Sequence, residues 1–158
     1  MKNIKITDKV FNPTNSQKSV LYIITTNNDI FQWSNYEEKI ELIRNGLPYG
    51  AIEFLSYKAK VSNKIILTLL NITKTTYNRK KNNQDKLDTR DTEMVLMIAE
   101  ILDYGVKVFN NETKKFQRWL KKPNISLGNT TPLGLFDSNT GINKVRDILN
   151  KIDSGNFV

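Results

Sequence analysis

Three groups of residues have types and spacings that could do chemistry. The first is basic and polar. Lys74, Thr75, Thr76, Asn78, Arg79, Lys80 and Lys81 fall within eight residues. Amides, hydroxyls and a guanidinium at that density can meet base edges, and lysines can meet phosphates. The second group is acidic: Asp91, Glu93, Glu100 and Asp103. Glu100 and Asp103 stand three apart, so a helix would place them on one face. Lone carboxylates so placed are more often a solvated face than an acid–base pair. The third group is the end of the chain, Lys151, Asp153, Gly155, Asn156, Phe157 and Val158, where an aromatic follows a glycine at a terminus. Either Phe157 folds back on the apolar residues 148–152, or it is left for a partner to cover.

The rest of the composition narrows the choice. There is no histidine and no cysteine among the 158 residues, which removes the commonest general base, the usual metal ligands and any disulfide. No glycine loop for phosphate is present, so the sequence predicts no cofactor, no metal and no enzymatic activity. No apolar run reaches membrane-spanning length and no signal-peptide region stands at the N-terminus, which predicts a soluble, cytoplasmic protein. The net charge of +8 is unevenly placed. Residues 57–90 carry nine basic and two acidic side chains, a net +7, and residues 105–122 carry six basic and one acidic. Residues 91–104 carry four acidic and none basic. A polyanion-binding surface and a solvated Lys/Asn-rich surface both account for the basic windows.

The elements that must hold these groups read as helices. Residues 36–45 form one, capped by Ser34 or Asn35 and ended by Gly46. A second starts at Pro48 with Ile52, Leu55 and Ala59 inward. Ser62 caps a third, over 63–70, with Ile65, Ile66, Leu69 and Leu70 as its apolar set. A three-residue turn, Asn71-Ile72-Thr73, leads to the basic segment. A buried helix, a short turn and a Thr-capped basic helix read as a helix-turn-helix, with Tyr77 free to pack inward. Thr89 or Asp91 caps a long central helix running to about Asn110, with Met94, Val95, Ile98, Leu102, Val106 and Phe109 at intervals of three and four. Residues 142–153 form the last helix, with Val145, Ile148, Leu149 and Ile152 on one face. Residues 20–24 are an apolar run, a strand or a buried helical turn.

Between the last two helices lies the most specific stretch. Phe116, Trp119 and Leu120 share a helical face. Pro123 stops that helix. Leu127-Gly128 reads as a turn closed by a left-handed glycine, and Thr131-Pro132-Leu133 as a capped helix start. The order Trp119-Leu120, Pro123-Asn124, Leu127-Gly128, Thr131-Pro132-Leu133 resembles the C-terminal domain of the Xre/ParS/MbcA-like antitoxins, which neutralise toxins carrying a RES domain. The similarity runs from about Arg44 to Val158. Asn129 replaces a second glycine of the family pattern, and Asn71 stands where the family's helix-turn-helix usually has glycine. Asparagine tolerates left-handed backbone, so both turns are expected to survive.

The resemblance implies an all-α fold: a variable arm over 1–35, an Xre/Cro-like helix-turn-helix over 36–90, and a helical toxin-binding and dimerisation domain over 91–158. It implies a type II antitoxin that acts as a homodimer. This antitoxin would bind a RES-domain toxin from the neighbouring gene, close the entrance through which NAD⁺ reaches the toxin's active site, and repress its own operon through operator DNA. The toxin-facing residues would be Lys151, Asp153 and Gly155 to Val158. The alternative is a free-standing helix-turn-helix regulator or a basic nucleic-acid-binding module, which would not need the second helical unit.

Overall fold

A computed structural model describes residues 19–155, and α5 (Thr89–Val108) is the element on which the others converge. Its side chains are buried nearly all round: Val95, Leu96, Ile98, Ala99 and Ile101 are at most 1% exposed. The cap is Asp88, not Thr89 or Asp91; its carboxylate accepts the Asp91 N–H at 2.7 Å. Around α5 sit α1 (Tyr36–Asn45), α2 (Ala51–Ala59), α6 (Thr113–Leu120) and α7 (Asn139–Asp153). Helices α3 (Asn63–Leu69) and α4 (Lys74–Asn82) follow α2, with α3 packed on it. One apolar core runs from Ile24 to Leu149.

The all-α expectation needs correcting. Tyr22–Thr25 (β1) and Ile30–Trp33 (β2) form an antiparallel hairpin, Tyr22 opposite Trp33 and Thr25 opposite Ile30. The pattern has period two: Tyr22 and Ile24 turn inward while Ile23 and Thr25 face solvent. The turn closes when Thr26 N–H donates to the Asp29 carbonyl at 2.9 Å and the Thr26 hydroxyl accepts from the Asp29 N–H. Ile24 and Trp33 join the core.

Other boundaries shift for local reasons. Asn35 is the α1 cap, accepting from Glu38 N–H at 2.9 Å, and Gly46 closes the helix at φ +73°. Helix α2 starts after Gly50 rather than at Pro48, which instead bridges to Lys86. In α3 the inward residues are Ile66, Leu67 and Leu70, while Ile65 is 40% exposed. The α3–α4 turn needs Asn71 in the left-handed region, at φ +57°.

The corner after α6 is built as its sequence suggested, on a smaller scale. Gly128 and Asn129 are both left-handed, φ +68° and +61°. Thr131 does cap the next element, its hydroxyl accepting from Gly134 N–H at 3.1 Å, but that element is a 3-10 helix, Leu133–Asp137, rather than an α-helix. Helix α7 then follows its cap Ser138, whose hydroxyl accepts the Gly141 N–H at 3.1 Å. Gly141 is buried against the Leu135 carbonyl, and a Cβ there would overlap it.

Candidate functional site

Among the described residues, helix α4 meets the rest of the molecule chiefly through Tyr77 and Lys81. Tyr77 is its single buried residue; its ring lies 6.2 Å from Tyr49, and its hydroxyl donates to Glu53 at 2.8 Å. Lys81 also donates to Glu53 and sits over the Tyr77 ring. Those donors, Lys81 first, hold the Glu53 carboxyl below its usual range, while burial and then the Glu53 hydrogen bond push the Tyr77 phenol well up. Lys80 is paired with Asp85 at 2.9 Å. Two of the seven predicted nucleic-acid-facing residues, Lys80 and Lys81, are therefore engaged within the chain. Thr76 turns to the helix cap: its N–H donates to the Thr73 hydroxyl at 3.1 Å, and its own hydroxyl accepts from Thr73. Lys74, Thr75, Asn78 and Arg79 are exposed, and none forms an ion pair among the described residues.

The other candidate surface is the end of α7. Lys151 and Asp153 are exposed, and Gly155 takes φ +74°, so the backbone turns out of the helix. Asn156, Phe157 and Val158 lie outside the described residues. The last turns are held to α5 by Tyr104, whose hydroxyl donates to Asn150 at 2.7 Å. Burial, then the nearby Asp153 carboxylate, raises the Tyr104 phenol.

The motif residues between these helices are mostly interior. Phe116, Leu120, Leu127, Pro132 and Leu133 are buried, whereas Pro123 and Gly128 are exposed turn residues and Thr131 is half-buried. Trp119 is half-buried too, packed 5.6 Å from Phe109 and 6.0 Å from Phe116. Phe116 lies so close to Gly105 of α5 that a Cβ there would overlap its ring. With Ile142, Val145, Ile148 and Leu149 also buried, these side chains fill the chain's own core.

The acidic group is not a solvated face. Glu100 is 8% exposed and accepts from Trp33 Nε1 at 2.8 Å, Lys39 Nζ at 2.8 Å and Arg146 Nη2 at 3.3 Å. It therefore joins β2, α1 and α7 through α5. Asp103 pairs with Lys58 of α2. Sequence reasoning missed this hub. The available signal was a carboxylate within the long central helix, among closely spaced apolar residues, a position that demands charged donors from elsewhere.

Residues 105–155 match the model of the antitoxin Xre/MbcA/ParS C-terminal toxin-binding domain. The chain is similar to an Antitoxin Xre of Photorhabdus laumondii, 23% identical over 114 residues, covering 72% of this chain and 77% of that protein. It is similar to a Prs ADP-ribosylating antitoxin of a Sphingobium species, 28% identical over 128 residues, 76% of this chain and 80% of that one. An Antitoxin Xre of Yersinia enterocolitica is 21% identical over 118 residues, with 75% and 80% covered.

Proposed function

We propose that this chain is an antitoxin of the Xre/MbcA/ParS kind, which neutralises an NAD⁺-consuming RES-domain toxin through residues 105–155 while its helix α4 contacts operator DNA. The observation that carries the first half is the ordered corner from Trp119 to Leu133, which lies inside the toxin-binding match. The Sphingobium relative's name refers to ADP-ribosylation, a reaction that consumes NAD⁺, and this agrees with an NAD⁺ site as the thing to be blocked. The exposed end of α7, Lys151, Asp153 and Gly155, with the residues beyond it, would reach into the toxin's cleft.

The DNA half rests on α4. It presents Lys74, Thr75, Asn78 and Arg79 to solvent after a Thr73 cap, with α3 packed behind it. The α3–turn–α4 pair is read as a helix-turn-helix whose second helix enters a major groove. A homodimer would match a two-fold operator. A free-standing regulator is the second reading, favoured by the basic α4 alone.

Co-expression separates the two. The chain, produced with the RES-domain protein of the neighbouring reading frame, should restore growth and co-purify with it. Growth arrest despite full expression of the chain, with no complex recovered, would leave only the regulator.

A further inference from the structure

Two long stretches of this sequence contain no acidic residue. One runs from 54 to 84 and the other from 113 to 136. They are far apart in the chain, yet the fold seats one against the other. Gln117 Nε2 donates to the Lys58 carbonyl at 2.9 Å, and Lys121 Nζ donates to the Lys60 carbonyl at 3.2 Å. Helix α6 is thereby fixed along the α2–α3 connection. From Lys60 the basic surface continues to Lys64 at the start of α3. A groove lined by Lys64, Lys74 and Asn78 together with the apolar Leu67, Ile72 and Tyr77 then leads to the start of α4.

The charges on this track differ from those that hold the fold together. Lys39, Lys58, Lys80, Lys81, Arg90, Lys115 and Arg146 are all ion-paired. Lys60, Lys64, Lys74, Lys114, Arg118 and Lys121 are exposed and form no ion pair among the described residues. Gathering uncompensated cations raises the energy of the isolated protein, and a polyanion relieves it. We infer that α6 and the α2–α3 connection form a second phosphate-contacting surface, continuous with α4, so that duplex DNA runs across the toxin-binding domain as well as the helix-turn-helix. This surface deepens the DNA half of the proposed function and rests on it. It also gives the toxin-binding domain a use other than toxin contact. Contacts of this kind position the duplex without reading sequence.

The test measures binding of the full chain to a duplex of about 30 base pairs, roughly three helical turns, across a salt series. One duplex is taken from immediately upstream of the chain's reading frame and the other is its shuffled counterpart. The variant Lys60→Gln/Arg118→Gln/Lys121→Gln should reduce the slope of log K against log salt by about two to three on both duplexes, at about 0.9 for each phosphate no longer neutralised. Preference between the duplexes should persist. The charge-keeping variant Lys60→Arg/Lys121→Arg should keep the parent slope. An unchanged slope in the Gln variant overturns the inference, as does a reduced slope in the Arg variant. An unchanged slope joined to loss of toxin protection also overturns it, assigning the surface to an acidic face of the toxin. A separate Lys74→Gln/Arg79→Gln variant reports on α4: loss of preference supports the α4 reading, and intact preference removes it while leaving the α6 result standing. A parent chain that binds neither duplex overturns both.

Discussion

Glu100 is the residue with most at stake in the interior. It accepts from three donors on three different elements, and only 8% of it reaches solvent. Glu100→Ala would strand the Lys39 ammonium and the Trp33 N–H in a partly desolvated site. A loss of about 3 kcal/mol in urea unfolding is expected, at the lower end for a broken buried pair because Arg146 is a third exposed. Two glycines set closer limits. A Cβ at Gly105 meets the Phe116 ring, and one at Gly141 meets the Leu135 backbone. Each Ala variant should cost about 1–3 kcal/mol by the same measurement, Gly141→Ala the more, because backbone cannot rotate aside as a ring can. Asn71 tests the turn chemistry. At φ +57°, Asn71→Val should cost about 1–2 kcal/mol, whereas Asn71→Gly should change little.

At the scale of elements, α4 hangs on Tyr77 and Glu53. The Glu53 carboxyl is held below the ordinary glutamate range in the folded chain, chiefly by Lys81. A depressed carboxylate contributes stability that is whole above its unfolded value and is lost as pH falls through the folded one. Fluorescence of α4-facing probes should therefore report loosening of that helix below about pH 4.3, and Glu53→Gln should abolish that acid-dependent step. Arg79→Ala, by contrast, should leave α4 in place and reduce operator binding by about 1–3 kcal/mol if it reads a guanine. The sequence showed α4 and its Thr73 cap because both rest on local chemistry, and it left Tyr77 free to pack inward, as it does. It showed the corner after α6 for the same reason: proline, glycine and asparagine state backbone angles directly. The roles of Lys80 and Lys81 were not legible, because their partners Asp85 and Glu53 are chosen by how α4 docks. The hairpin was half legible. Its alternation is short, and the weight of helical pattern around it favoured helix.

For the whole molecule, the arrangement places a basic helix pair and a toxin-binding match around one core centred on α5. Trp119, half-buried in its three-ring cluster, should cost about 2–3 kcal/mol on Trp119→Ala, less than a fully buried ring. The α7 apolar face is buried inside the chain, and the proposed homodimer is tested by mass. Sedimentation of the chain at micromolar concentration should give twice the 18.3 kDa mass, and a monomer would remove the two-fold operator from the proposal. The proposed neutralisation turns on whether the residues beyond Asp153 close the NAD⁺ entrance of the proposed RES-domain toxin. The rate of NAD⁺ consumption by the neighbouring RES-domain protein, titrated with the full chain and with a chain ending at Asp153, measures this directly. The full chain should stop consumption at a fixed stoichiometry, while the shortened chain should still fold but leave the toxin active. Equal inhibition by the two would contradict a role for the chain end in closing that entrance.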